Sequence, residues 1–183
     1  MNIDKEVIEA IQKGERAVIH KLYHHTFNLL MGKAVRYYRN REDQMTIVNN
    51  SFLKIVTKID QFKPGTSYFS WANIIVQRVI IDEFRKNKKY NEQFNSVEDF
   101  TGLDIEDEYW PDNEYDIDQL MNLIDGLPNA TKIVFNLFAI DDYSPKEIAD
   151  ELGISYETVK WHIKEARKRL RISLINSIPN TQL

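Results

Sequence analysis

Between Gln93 and Pro128 the chain holds eleven Asp and Glu and neither Lys nor Arg. Over most of that stretch the apolar residues lose any helical or strand period, and Gly102 and the Trp110-Pro111 pair break it further. It reads as a linker, and the rest of the 183 residues must fold about two separate cores. Residues 1–92 carry 16 Lys and Arg against 10 Asp and Glu, and residues 129–183 carry eight against seven. The formal net charge of -4 is therefore an average over a basic piece, an acidic piece and a near-neutral one. It excludes no partner of either sign.

Each flanking piece reads as helical. In residues 1–92 the apolar side chains recur at helical spacing in four runs: Val7, Ile8 and Ile11; Val18, Leu22 and Leu29; Ile47, Val48, Phe52, Ile55, Val56 and Ile59; and Trp71, Ile74, Ile75, Val79 and Ile81. In residues 117–183, Ile117 to Ile124 and Thr131 to about Ala139 mark two helices. Ser144-Pro145-Lys146-Glu147 then joins an N-cap Ser, a Pro at the first helical position and a Glu at the third, the pattern of a capping box. That helix runs to Gly153, which suits a left-handed terminus, and Ser155 caps a last helix reaching about Ile175. With no strand signal, the fold expected is all-α: four helices, an acidic linker over 93–116, and four more helices.

Hydrophobic residues make up 43% of the chain, enough to fill two small cores, and 28% are charged. Cys is absent, which removes disulfide frameworks, thiolate zinc sites and cysteine nucleophiles together. There is no apolar run of the roughly 18 residues a span requires, and the start shows no basic region followed by an apolar one. A cytoplasmic protein without membrane insertion is expected.

The segment Glu147 to Val159 carries the most information. Ala149 leaves room where two helices cross, Gly153 permits the tight turn, and Val159 packs the second helix on the first, the spacing of a helix-turn-helix. In the second helix Val159, Ile163, Ala166 and Leu170 share one face. Ser155, Tyr156, Glu157, Thr158, Lys160, Trp161, His162, Lys164, Arg167 and Lys168 are the candidate DNA contacts, base-reading side chains first and cations after. An ordinary helical hairpin with a basic solvated face is the competing reading, and the agreement of cap, small residue, glycine and apolar register disfavours it.

A second constellation lies in the first piece. The loop from Lys63 through Pro64, Gly65, Thr66 and Ser67 leads to Tyr68, Trp71, Asn73, Gln77 and Arg78, and the helix closes on Arg85, Lys86, Lys88 and Lys89. Aromatic faces can stack on unpaired bases while cations hold the backbone, as single-stranded nucleic acid requires. Trp71 serves equally well as a core residue, and a basic helix end also complements the helix dipole.

In their order, these pieces resemble the bacterial extracytoplasmic-function sigma factors of the sigma-70 family. The resemblance rests on Tyr68-x-x-Trp71-x-x-x-Ile75 running into Ile81-Asp82-Glu83-Phe84-Arg85-Lys86, and on Glu147-Ile148-Ala149 through Thr158-Val159-Lys160 to Ala166-Arg167-Lys168-Arg169-Leu170-Arg171. It implies a region 2 domain over 1–92, a linker over 93–116 and a region 4 domain over 117–183. Lys63, Thr66, Ser67, Tyr68, Trp71, Asn73, Gln77, Arg78, Arg85 and Lys86 would then open the promoter's minus-ten element, and Ser155 to Lys168 would read the minus-thirty-five element. The linker would thread the RNA-exit path of the polymerase, although an acidic stretch is also simply a solvated tether. Implied partners are core RNA polymerase and promoter DNA, with an anti-sigma factor or another recruiting protein as a further one; no cofactor is implied.

One segment departs from the family. Where members carry an acidic Asp-x-x-Gln-Glu/Asp-x-Phe run that grips polymerase, this chain has Thr46-Ile47-Val48-Asn49-Asn50-Ser51-Phe52. Glu42, Asp43, Ile47, Asn49, Asn50 and Phe52 are the candidate polymerase contacts, with the unaided grip in question. Two other classes stay open: a regulator whose first domain senses a ligand or dimerises, and a sigma-like interaction protein that needs another partner for recruitment. The aromatic and basic helix of residues 68–90 weighs against a sensor. His20 and His24 are four apart as in a zinc-protease helix, but Lys21 stands where a Glu is required and no third ligand is near in sequence, so no metal site is expected. Glu42-Asp43 and Asp141-Asp142 fall where carboxylates meet unpaired N–H groups, so they read as caps rather than catalysts. No enzymatic motif is found.

Overall fold

The computed structural model describes residues 1–87 and 116–177. Most of the expected linker, with Lys88 and Lys89, lies outside the described residues. The chain divides after Phe84 into two compact units, Met1–Phe84 and Arg85–Leu183.

The first unit is built from α1 (Lys5–Gln12), α2 (Arg16–Tyr37), α3 (Arg41–Thr57), a 3-10 turn at Ile59–Gln61, and α4 (Tyr68–Asn87) as far as Phe84, its last three residues falling past the boundary. Two of these starts have a local chemical cause: the Asp4 carboxylate accepts the Val7 N–H at 3.0 Å and the Asn40 side chain accepts the Asp43 N–H at 2.7 Å. The three residues between α2 and α3 force these helices to run antiparallel, packed along their length. Leu22, Leu30 and Ala34 from α2 meet Ile47, Val48 and Ile55 from α3, and Ala72, Val76 and Ile80 bring α4 into the same core. At 25 cal/mol per Å², each large aliphatic side chain contributes roughly 1.5–3 kcal/mol, so this core outweighs every surface contact of the unit. A Lys54–Asp82 ion pair at 2.8 Å ties α3 to α4.

The second unit holds α5 (Ile117–Asp125), α6 (Asn129–Ala139), α7 (Pro145–Leu152) and α8 (Tyr156–Ser177). Helix α8 packs on the other three; Leu127, Ala166 and Leu170 form one cluster, flanked by Leu123, Ile124 and Phe135. Lys132 is fully enclosed, and its ammonium reaches the Asp125 carboxylate at 2.7 Å. That contact joins α5 to α6 across Gly126-Leu127-Pro128. All eight expected helices are present and no strand occurs among the described residues. They run longer than the apolar periods indicated: α2 continues to Tyr37, α4 begins three residues before Trp71, and α6 begins at Asn129.

Candidate nucleic-acid interface

The turn between α7 and α8 is fixed by chemistry confined to a few residues. The Glu147 N–H donates to Ser144 Oγ at 3.3 Å while the Glu147 carboxylate accepts the Ser144 N–H at 2.8 Å, closing the capping box. These bonds hold the Glu147 carboxyl below its ordinary range. Gly153 ends α7 at φ 62, a conformation that costs a residue with a Cβ about 1 kcal/mol. Ser155 Oγ accepts the Thr158 N–H at 3.0 Å, and the two hydroxyls lie 2.7 Å apart. Ser155 and Thr158 thus start α8 as well as stand at its outer end. Ile148, Ala149, Leu152, Val159 and Ile163 are buried between the helices.

Outside that core α8 has two unlike edges. Lys160, Lys164, Arg167, Lys168 and Arg171 recur at three- and four-residue spacing and share one edge. Tyr156 begins the same edge, half exposed, with the Lys160 ammonium 5.6 Å from its ring centre and 3.7 Å from the Glu157 carboxylate. The Arg167 guanidinium lies over the Phe138 ring, 5.6 Å from its centre. On the other edge Glu165 engages Arg169. Trp161 is half buried between the edges. The arrangement is a helix whose first turn offers Tyr156, Glu157 and Lys160 and whose later turns offer cations in a row.

His162 departs from the expectation. It is 4% exposed, its Nδ1 lies 3.0 Å from the Thr131 hydroxyl, and burial lowers its pKa to about 4. A neutral imidazole in the α6–α8 seam is not placed to meet DNA. Its position three residues after Val159 and four before Ala166 puts it on the apolar face.

In the first unit, the loop from Lys63 to Ser67 is exposed throughout. Gly65 at φ 89 turns it, and the Thr66 hydroxyl donates to the Lys63 carbonyl at 2.7 Å. Ser67 Oγ accepts the Ser70 N–H at 3.2 Å and the Ser70 hydroxyl at 2.9 Å, so it begins α4. Tyr68, expected to offer a face to an unpaired base, is 7% exposed instead. Thr26 donates its one hydroxyl proton to the Leu22 carbonyl at 2.8 Å, so the Tyr68 hydroxyl, 2.7 Å away, donates to Thr26. Burial pushes the Tyr68 phenol up to about 12. Its ring meets Phe62 edge-on at 5.7 Å, making it a strut between α4 and α2.

Gln77 is likewise enclosed, at 6% exposure. Trp71 is half buried against Phe62 at 5.5 Å, and Asn73 is half buried. The aromatic face that reaches solvent is Phe69, 44% exposed, with its ring 4.9 Å from that of His25. Partial burial, with the amino terminus as a lesser influence, lowers the His25 pKa. Ser70, Ile74 and Arg78 form an exposed row along α4, and Arg85 and Lys86 are exposed in its last turn.

On α3, Glu42, Asp43, Thr46, Asn49 and Asn50 are exposed, whereas Ile47 is 1% exposed and belongs to the core. Its spacing with Gln44, Val48, Ser51 and Ile55 accounts for that. Phe52 is half buried, with Tyr23 edge-on at 4.9 Å. The apolar group presented to solvent there is Leu53, 62% exposed, one turn beyond Asn49 and Asn50. Leu53 and Phe69 were not among the expected site residues. No group of three or more His, Asp or Glu able to hold a metal occurs among the described residues, and no described helix is long and apolar enough to cross a membrane.

Two helical units, the second presenting a helix-turn-helix with a cationic edge, define a two-domain DNA-binding protein. Comparison with known proteins narrows the class. The Sigma-70 region 2 family matches residues 22–90, and the Sigma-70, region 4 family matches residues 117–170. The RNA polymerase sigma factor SigV of Bacillus subtilis is 30% identical over 141 residues, which cover 77% of this chain and 81% of SigV. The ECF RNA polymerase sigma-E factor of Haemophilus influenzae is 23% identical over 176 residues, covering 91% of this chain and 93% of that one. Among solved structures, the sigma factor RpoE of Bartonella quintana, crystallised with the anti-sigma factor NepR, covers 86% of this chain and 98% of that chain at 15% identity and a TM-score of 0.47. The chain belongs to the sigma-70 family, as an extracytoplasmic-function sigma factor: a promoter-recognising transcription initiation factor.

Proposed function

We propose that the two units divide promoter recognition between them. Helix α8 enters the major groove of the minus-thirty-five element, with Tyr156, Glu157, Lys160 and Trp161 toward base edges and Lys164, Arg167, Lys168 and Arg171 along the phosphates. The loop of residues 63–67, with Phe69, Trp71, Asn73, Ile74, Arg78, Arg85 and Lys86, engages the minus-ten element as its strands part. Helix α3 docks core RNA polymerase through Glu42, Asp43, Asn49, Asn50, Phe52 and Leu53. The protein works by binding, in the cytoplasm, and an anti-sigma factor or a recruiting protein is a further partner.

The observation that carries this reading is the cationic edge of α8, continuous with an exposed N-terminal turn and separated from the Glu165–Arg169 edge. Five cations gathered on one edge, with the Glu157 carboxylate beside Lys160, suit a line of phosphates better than a merely solvated helix.

Selection of duplex sequences by the full chain tests it. Changing Arg167 and Lys168 to Ala should weaken binding alike on all sequences and flatten the salt dependence, whereas changing Lys160 or Trp161 should alter which sequence is preferred. An unaltered preference in the Lys160 and Trp161 variants would show that α8 is not the reading helix.

A further inference from the structure

We infer that His20 and His24, a pair for which the sequence pattern alone gives no metal site, form a two-ligand site for a divalent transition-metal cation on the outer face of α2, next to Tyr23, whose ring packs against Phe52. Both side chains are exposed and one helical turn apart. Their Nε2 atoms converge to 3.1 Å, with ring centres 4.4 Å apart and planes at 72°. At that distance one imidazole Nε2 can donate a hydrogen bond to the other, the roles being set by tautomer.

The same convergence fits a shared cation. An ion about 2.0–2.1 Å from each nitrogen would see them at an angle of roughly 100°, between the cis angle of octahedral or square-planar coordination and the tetrahedral angle. Because both nitrogens are carried by one helix turn, the backbone already holds them in place. A second ligand then adds to the first without a large loss of chain entropy.

The donor set names the class of ion. Imidazole nitrogens suit Cu²⁺, Ni²⁺ and Zn²⁺ and exclude Mg²⁺ and Ca²⁺, and at a site of two nitrogens Cu²⁺ binds most strongly. No third His, Asp or Glu completes the set among the described residues, so water or an approaching partner fills the remaining positions. The site is therefore open and exchangeable, unlike a resident structural zinc. Arg16, one turn before His20, and Lys21, beside it, carry like charge and keep the affinity moderate. His25, next in sequence, is turned away, half buried against Tyr68 and Phe69.

The test uses the full chain, purified without a histidine tag. Titration with Cu²⁺ should give one equivalent bound, with an electron paramagnetic resonance spectrum of two nitrogen ligands. Either His20→Gln or His24→Gln should weaken binding at least tenfold, the double variant little more than either single one, and His25→Gln should bind as the unaltered chain does. Circular dichroism should show all variants equally helical, and the unfolding midpoint should rise with Ni²⁺ only where both histidines are kept. Undiminished binding in His20→Gln or His24→Gln, or a spectrum without the paired nitrogens, would overturn the assignment.

Discussion

A lysine with no exposed side-chain surface sits at Lys132, its ammonium met by the Asp125 carboxylate at 2.7 Å. Removing one partner of such a pair leaves an uncompensated charge, whereas replacing the buried partner by an apolar residue of similar volume removes the desolvation problem itself. Asp125→Asn should therefore lower the stability of the second unit by about 2–4 kcal/mol, the half-exposed carboxylate placing it toward the smaller end. Lys132→Met should be near neutral; chemical unfolding of both variants checks the contrast. His162 supplies a pH signature. Its pKa falls from 6.5 in the open chain to about 4 in the folded one, so between those values the unfolded state binds the extra proton. Stability must then decline as pH falls from 6.5 to 4, at up to about 1.4 kcal/mol per unit and roughly 3 kcal/mol in all, and the slope ends below 4. Thermal unfolding of the unaltered chain and of His162→Gln over this range isolates the effect, because only the slope specific to His162 vanishes in the variant. Glu165, which opposes the shift, stays in both.

Elements differ in how far their roles were legible from sequence. The α7 start and end depend on Ser144, Pro145, Glu147 and Gly153, all within the helix and its caps, so the sequence reading and the structure coincide there. Ile47 and His162 were also legible as interior residues, since the periods Gln44-Ile47-Val48-Ser51-Ile55 and Val159-His162-Ile163-Ala166 place both inside. At these two positions the helical period outweighs any contact their chemistry could make with a partner. The burial of Tyr68 was legible too, four residues before Ala72 and eight before Val76 on the inner face of α4, but its hydroxyl partner Thr26, 42 residues away, leaves no trace in local pattern. The structure consequently moves the exposed aromatic one residue on, to Phe69. Leu53 illustrates the reverse case, an apolar residue left outside. On α3 the exposed row Thr46, Asn49, Asn50 and Leu53 is uncharged after Glu42 and Asp43. A charge-assisted contact is worth roughly 1.5–3 kcal/mol against about 0.5–1.5 for a neutral hydrogen bond. Thr46→Asp with Asn50→Glu should accordingly tighten binding to a heterologous core polymerase, with the gain shrinking as salt is raised. Equal affinity of the unaltered chain and the double variant would mean that these positions do not limit docking.

At the scale of the molecule, the chain forms two compact helical units, and its sequence between the two matched regions is acidic. The region 2 match ends at Tyr90, just before the run without Lys or Arg begins, and the region 4 match begins with α5 at Ile117. Each unit has its own core, so damage to one reading surface should leave the other intact. Under the proposed division of labour, the chain directs initiation by engaging duplex DNA through α8 and opening it through the loop of residues 63–67 and the exposed face of α4. The most direct measurement is transcription by purified core polymerase from a promoter selected by this protein, on fully duplex template and on template already melted at the minus-ten element. Specific initiation should require the protein. Changing Lys63, Thr66 and Phe69 together to Ala should abolish it on duplex template and restore a substantial part on the melted one, while Arg167 and Lys168 variants should lose activity on both. Loss of activity in the loop variant to the same degree on both templates, with its fold intact, would contradict the account.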